Sequence, residues 1–363
     1  MKIKKVDAGI HTLELYALRL TYFQCQKCMD TLADLAPLKV LRRDPYNIDR
    51  TLLSNALGSS GIRLIPWQSH DCSNGIGIII NPNLLLDCNC SPIQLFDPSW
   101  KSCERLLEQV EEVLHTLKLE DDSFHRNLIV SPEELSLSQM DLTMNLWFSK
   151  DADLLEIIRL FSKGNLPRSF DRQSCSTPEE TRHCFIASSR TVTFKAYDKV
   201  YDLKRYGRCP FELEHKKILR IEVSLKRKSF LEKLELDRGD DLYTMLSVGH
   251  RSVWPVLENY LERLFPCSGT HRTYQETIRR IDDSSLSEKK KERMTYLVAK
   301  TSAGAGLDTA LKKMKKEFDL SDYRTIDALY DAFEKLDINP ITLCNNSNLS
   351  EVPSIRKMIK KSI

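Results

Sequence analysis

The sequence predicts an α+β fold, and three observations carry that expectation. The first two-thirds of the chain reads as strands separated by helices and loops. After about Asp240 the pattern becomes helix after helix. The two regimes meet at the polar turn Arg238-Gly239-Asp240-Asp241. Strands followed by helices, rather than a regular alternation of the two, point to α+β. The boundary divides a sheet-containing domain, residues 1–238, from a mostly helical part, residues 239–363.

Each element has its own signal. Ile10-His11-Thr12-Leu13-Glu14-Leu15-Tyr16 alternates apolar and polar residues, as a half-buried strand does. Gly61 to Pro66 and Ile76 to Ile80, divided by a polar stretch with Asn74-Gly75, read as a hairpin that stops at Asn81-Pro82. Residues 99–118 repeat leucine and valine at helical spacing with glutamates between, which predicts an amphipathic helix. Ser136 to Phe148 is a predicted strand and Leu154 to Phe161 a helix. A polar loop follows from Gly164 to Arg182. Thr191 to Ala196 and Ile218 to Leu225 are two further strands, with a charged segment, Asp202 to Lys217, between them. Beyond the boundary, Tyr243 to Phe265, Leu286 to Ala299, Leu307 to Phe318 and Ile326 to Leu336 read as helices, the last ending before Asn339-Pro340.

Composition narrows the class. With 363 residues, 41% of them hydrophobic, the chain can bury one large core or two modest ones. Charged residues make up 29% without a long single-sign tract, which argues against wholesale disorder. No stretch approaches the roughly 18–20 apolar residues that a membrane helix needs. The basic start Met1-Lys2-Ile3-Lys4-Lys5 is followed by Asp7, His11 and Glu14, which excludes a signal peptide. Eleven cysteines, an odd number, suit reduced thiols in a cytosol better than a disulfide framework. Cys25 with Cys28 and Cys88 with Cys90 could in principle hold zinc, but a Cys-x-Cys pair falls outside the usual spacing, and buried or incidental thiols are the simpler reading. The net charge of +3 is unevenly spread: residues 200–363 hold 31 basic and 25 acidic side chains, so the C-terminal half is the basic one. That fits a nucleic-acid partner without requiring one.

Three strands carry polar residues that a plain sheet does not need. In the first, Gln139, Asp141, Thr143 and Asn145 fall on one face, and a mid-strand aspartate wants a cation or a metal ion as partner. In the second, Lys195, Tyr197 and Lys199 share a face if the strand continues, and positive neighbours would favour the phenolate of Tyr197 and a bound phosphate. In the third, Arg220, Glu222 and Ser224 face one way and Leu219, Ile221, Val223 and Leu225 the other. A solvent-facing polar row, a tyrosine that packs its ring and a surface Arg–Glu pair would explain each strand separately. Together, in this order, they could bring two carboxylates and a phenol to one sheet face. Two carboxylates are the usual minimum for Mg²⁺ or Mn²⁺ beside a phosphodiester.

At these residues the chain resembles the replication initiators of filamentous phages and the related phage/plasmid rolling-circle replication proteins of bacteria. That family shows an Arg-Ile-Asp strand, then Tyr-x-Lys-x-x-Glu-Leu, then Arg-(Phe/Ile)-Glu-x-x-(Leu/Ile)-Lys. The corresponding stretches are Gln139-Met140-Asp141, Tyr197-Asp198-Lys199-Val200-Tyr201-Asp202-Leu203 and Arg220-Ile221-Glu222-Val223-Ser224-Leu225-Lys226. Ile80 to Leu85, with its Asn81-Pro82, and Leu336-Asp337-Ile338-Asn339-Pro340-Ile341 are similar to phrases found upstream and near the C-terminus of such proteins. Gln139-Met140 departs from the family's Arg-Ile, and Asp202 from its Glu.

The resemblance implies an antiparallel-sheet nuclease domain with flanking helices, a helical DNA-binding or accessory part, and a site-specific nickase and strand transferase. It implies Tyr197 as nucleophile, with Tyr201 as a second candidate, and Lys199 beside the phosphate. It implies a divalent ion, Mg²⁺ or Mn²⁺, on Asp141 and Glu222, with Asp202 completing the shell. Lys195, Arg220, Lys226, Arg227, Lys228 and the run Lys289-Lys290-Lys291 are the expected DNA contacts. Partners would be origin DNA, single- and double-stranded, with a host helicase and DNA polymerase and no membrane. The chain could assemble as a homodimer. There is no His-x-His pair and no Walker-type glycine loop, so carboxylates must hold any metal and unwinding must come from a partner. A non-catalytic origin-binding protein, a conjugative relaxase and a non-DNA α+β protein remain as alternative readings of the same residues.

Overall fold

The computed structural model describes residues 2–20, 61–68, 74–116, 120–121, 126–128, 135–237, 239–320 and 323–362. The Cys25/Cys28 pair lies outside them, as do the side chains of Arg227 and Lys228. The fold is α+β, built on a large antiparallel sheet with thirteen helices among the described residues.

The elements follow in chain order. The long strand β1 (Ile3–Leu20) is followed by β2 (Ile62–Gln68) and β3 (Asn74–Ile80), then α1 (Pro82–Leu86) and α2 (Trp100–Thr116). The short strands β4 (Glu120–Asp121) and β5 (Arg126–Leu128) pair with each other. Next come β6 (Ser136–Phe148), α3 (Leu154–Ser162), β7 (Asp171–Gln173), α4 (Pro178–His183), β8 (Cys184–Ser188), β9 (Val192–Asp198), α5 (Lys199–Arg205) and β10 (Lys217–Lys226). Helices α6 (Arg227–Leu234), α7 (Leu242–Arg251) and α8 (Val253–Leu264) follow. After β11 (His271–Arg272) the chain runs through α9 (Tyr274–Asp282), α10 (Glu288–Ser302), α11 (Leu307–Glu317) and α12 (Tyr323–Lys335) to β12 (Glu351–Val352) and α13 (Ile355–Lys360). No helix among the described residues is long and apolar enough to cross a membrane.

Eight strands form one sheet in the order β2-β3-β1-β6-β10-β9-β8-β7. The expected hairpin is present, with Ile62 opposite Ile80 and Trp67 opposite Gly75. Asn74-Gly75 belongs to β3 rather than to the turn. Asn81 then caps α1, its side chain accepting from Leu84 N–H while Pro82 takes the first helical position, where a missing N–H costs nothing.

The chain packs as two compact units. One comprises Met1–Asp7, Met144–Val223 and Trp254–Ile363, the other Ala8–Thr143 and Ser224–Val253. In the first unit the apolar face of the sheet is covered by aromatic rings. Phe161 of α3 lies 6.0 Å from Phe194 of β9 and 5.1 Å from Phe265, all three fully buried. Burying side chains of this size supplies about 1.5–3 kcal/mol each. In the second unit Leu106 and Val110 of α2, Leu246 of α7, and Met140 and Leu142 of β6 are buried together with Leu13 and Ile78. Gly249 lets α7 come close, since a Cβ there would fall 2.3 Å from the Met140 sulfur.

The structure corrects the sequence-based reading at three places. The helix expected over Tyr243 to Phe265 is two helices broken at Ser252. Pro255 has no N–H to continue the first helix and is tolerated in the first turn of a new one. The polar loop from Gly164 to Arg182 contains β7 and α4, the latter capped by Thr177. And β9 stops at Asp198, so Lys199 opens a helix instead of continuing the strand face.

Candidate active site

The polar rows expected on the first and third strands do not face solvent. Asp141, Thr143 and Asn145 of β6 and Arg220, Glu222 and Ser224 of β10 are all buried, Arg220 and Asn145 completely. Each charge in such a place has lost its hydration and needs compensation from its neighbours. Arg220 donates from Nε to Asn145 Oδ1 of β6 at 2.7 Å, which orients its guanidinium. Lys195 donates to Glu222 Oε1 at 2.7 Å. Gln139, in the place of the family's arginine, donates to Asp141 Oδ1 at 3.1 Å.

Tyr197 comes from β9, opposite Cys184 of β8. Its phenol sits in the fields of Glu222 and Arg220, with a hydrogen bond to the Arg220 side chain. Desolvation, and then the Glu222 carboxylate, push its pKa well above the usual value, while Arg220 pulls it down less strongly. This overturns the expectation that flanking lysines make Tyr197 ionise readily. The ammonium of Lys195 is already paired with Glu222, and that of Lys199 with Asp202 at 2.8 Å. The hydroxyl therefore rests as a protonated phenol at neutral pH.

The turn from β9 into α5 arranges the remaining groups. Asp198 Oδ1 accepts from the N–H groups of Val200 and Tyr201 at 3.0 and 3.1 Å and caps the helix. Lys199, although off the strand face, returns over the Tyr197 ring with its nitrogen 5.8 Å from the centroid. Burial, then the charge of Arg220, lowers its pKa, and Asp202 opposes both. Tyr201 stacks flat on His183, with ring centroids 3.6 Å apart and planes 4° from parallel. These groups line a cavity of about 440 Å³ in the first unit, whose walls include His183, Lys195, Tyr197, Asp198, Tyr201 and Asp202. The volume lies in the range of small-ligand pockets. Cys184 also lines it. Burial and the adjacent Cys175 push the Cys184 thiol up to about 12, so it is neither a thiolate nucleophile nor a ready metal ligand.

A histidine joins the two expected metal ligands. His11 of β1, Asp141 of β6 and Glu222 of β10 each offer one ligand atom, and these atoms all lie within 4.8 Å of one another. They could hold a metal ion, and among the described residues they form the one such group. Asp202 is not in it, because it sits on α5 and is engaged by Lys199. The donor set of one imidazole and two carboxylates suits a divalent ion of the Mn²⁺ type. The sequence reading missed His11, whose only signal is a histidine at a polar position of an alternating strand, 130 residues from Asp141 and 211 from Glu222. It also left Asn145 without a role, although Asn145 orients Arg220.

The expected DNA contacts are dispersed. Arg220 is buried and so is not a surface contact, whereas Lys195 is half-buried and paired with Glu222. Lys226 is exposed at the end of β10. Lys289, Lys290 and Lys291 occupy the first turn of α10, where the helix dipole disfavours cations. Lys291 there donates to Asp282 O at 2.9 Å and lies 3.4 Å from Glu288.

No family model matches the sequence, and no curated protein is similar to it. Among solved structures, a rolling circle replication initiator protein from Geobacillus stearothermophilus overlaps 71% of this chain and 85% of its own length. Its identity is 8% and its TM-score 0.30. A TM-score of that size does not establish a common fold, and the reading of the site comes from its own residues.

Proposed function

We propose that this protein initiates rolling-circle DNA replication by nicking one strand at the origin of a small replicon, with Tyr197 as nucleophile. The observation that carries the reading is the placement of the Tyr197 phenol, in the field of the buried Glu222 and hydrogen-bonded to the buried Arg220, in a pocket wide enough for part of a nucleotide. Tyr197 Oη attacks phosphorus, the bond from phosphorus to the 3′ oxygen breaks, and a 5′-phosphotyrosine ester remains. The released 3′-OH primes synthesis by a host polymerase, with a host helicase opening the duplex. A second transfer then rejoins the displaced strand.

Arg220 and Lys199 are the cations next to the phenol, and they stabilise charge developing on the phosphate oxygens. A divalent ion, Mg²⁺ or Mn²⁺, held by Asp141 and Glu222 with His11, would polarise the scissile phosphate. Tyr201, four residues on and in the same pocket, is the alternative nucleophile. The helical part beyond residue 238 adds backbone contacts through Lys289, Lys290 and Lys291.

The test is covalent capture with Mn²⁺ and single-stranded oligonucleotides tiling the protein's own gene and flanks. A metal-dependent adduct on a denaturing gel, absent from Tyr197→Phe, is the expected result. Tight binding across the tiles with no adduct would return the protein to the non-catalytic origin binders.

A further inference from the structure

Beside the pocket, the chain builds a surface whose purpose the nicking site does not explain. Tyr206 and Phe211 are two of the three most exposed large hydrophobic side chains among the described residues, Phe211 being 80% accessible. Both lie in residues 204–217, between α5 and β10. An exposed aromatic ring on a floppy loop would mean little, but this segment is firmly made. Gly207 takes the left-handed conformation at φ 63°, where glycine carries no Cβ penalty. Arg208 N–H returns to Leu203 O at 2.9 Å, and Lys204 Nζ reaches Glu214 O at 3.0 Å. Pro210 opens a 3₁₀ turn over Phe211–Leu213, anchored by the buried Leu213. Phe211 is thus held outward by a turn whose next apolar residue points in.

The segment is net positive. The segment holds Lys204, Arg205, Arg208, Lys216 and Lys217 against Glu212 and Glu214. Arg208, Lys216 and Lys217 are exposed, and Arg205 lies 5.1 Å over the Tyr206 ring. The track is continuous with the pocket, because Arg205 and Tyr206 line it together with Tyr197 and Tyr201. Aromatic faces for bases with interleaved cations for phosphates are what an unpaired strand needs, and they are sequence-tolerant. A duplex, whose bases are already stacked, gains nothing from the rings.

We propose that residues 204–217 are the docking track for a single DNA strand, with bases stacked on Tyr206 and Phe211 and the strand leading into the pocket at Tyr197. The proposal deepens the nicking reading by naming the form of its substrate, yet it can be tested without cleavage. Binding of a fluorescent 12-mer oligothymidylate to the full chain is measured by anisotropy without divalent ions, alongside a 12-mer of abasic sites and a duplex. Tyr206→Ala and Phe211→Ala should each weaken oligothymidylate binding by about tenfold, the loss of one stacked base. They should leave abasic and duplex binding within twofold, and Phe211→Trp should keep full affinity. The binding is read without divalent ions and without cleavage, so that failure of the nucleophile assignment leaves this result standing. A Tyr206→Ala/Phe211→Ala protein that melts normally yet binds oligothymidylate within twofold of wild type overturns the proposal. So does an equal loss on the abasic strand, or a loss confined to anionic lipid vesicles.

Discussion

Two buried polar clusters lie in the unit that carries Tyr197, and they are satisfied in opposite ways. Around Asn339 the partners are backbone groups. The amide donates to Cys267 O at 3.0 Å and accepts from Ile341 N–H at 3.0 Å. His271 Nδ1 donates to Ile341 O at 2.7 Å, and Thr301 donates to Pro340 O. Glu156, held by Arg159, accepts from Cys344 N–H at 2.8 Å. On the sheet face the partners are other side chains: Arg220 with Asn145 and Lys195 with Glu222. Backbone groups are fixed by the fold, so the first cluster has one arrangement and serves stability. Charged side chains can exchange partners when a phosphate or a cation arrives, so the second cluster keeps its fold and can still change its chemistry.

The largest expected effect falls on the first cluster. Asn339→Ala should lower stability by about 2–4 kcal/mol in urea unfolding, because it strands buried backbone groups. Added Mn²⁺ should not restore it. A loss below about 1 kcal/mol would mean that water replaces the amide, and the contrast would blur.

Next comes the response of the sheet face to metal. At a hundred times its dissociation constant, Mn²⁺ should stabilise the wild-type protein by about 2.7 kcal/mol. Thermal melts of His11→Gln, Asp141→Asn and Glu222→Gln should each lose that increment. Asp202→Asn should retain it, since Asp202 stands outside the group. A metal shift that survives all three substitutions would place the ion elsewhere.

How much of this contrast was legible in the sequence depends on period and distance. The bounds of β6 were readable because Asp141, Thr143 and Asn145 alternate with Met140, Leu142 and Met144. Their burial was not, since alternation reads the same whether the polar face meets water or a polar layer. The Arg220/Glu222/Ser224 row was misleading in the same way. His11 was hidden by sequence separation, which a single sequence does not bridge. The α4 helix was hidden by shortness, although Thr177-Pro178 with Glu180 is a helix start: Glu180 N–H reaches the Thr177 hydroxyl at 3.2 Å. Asn339-Pro340 reads in the sequence as a helix stop, and its larger role as a buried hub depends on contacts some 40 to 70 residues away.

A pH effect separates the clusters more finely. Burial lowers the His271 pKa to about 4, against a hydrogen bond to Ile341 that raises it. Between about 6.5 and 4 the unfolded chain binds a proton that the folded chain refuses. Stability is therefore present above 6.5 and falls as the pH drops through this window, by roughly 1 kcal/mol per pH unit. Urea midpoints of wild type and His271→Asn over pH 4–7 should diverge toward the neutral end and converge toward the acid end. Parallel curves would remove His271 from the account.

The smallest expected change is in the stability of Tyr197→Phe, a loss of about 1 kcal/mol, because it removes one hydrogen-bond partner of the buried Arg220. In the same series, Glu222→Gln should bring the Tyr197 pKa down, since that carboxylate is the largest charge raising it. Tyrosinate absorbance, with Tyr197→Phe subtracted, reads the shift. An unchanged titration would mean that Glu222 and the phenol do not communicate.

The central claim is that Tyr197 is the residue that takes the DNA, and trypsin offers a direct reading of it. Cleavage after Lys195, Lys199 and Lys204 places Tyr197 in the peptide 196–199 and Tyr201 in the peptide 200–204. After covalent capture, nuclease trimming and digestion, mass spectrometry should find the nucleotide on 196–199. A nucleotide on 200–204, or on neither peptide in a protein that binds the strand tightly, would contradict the account.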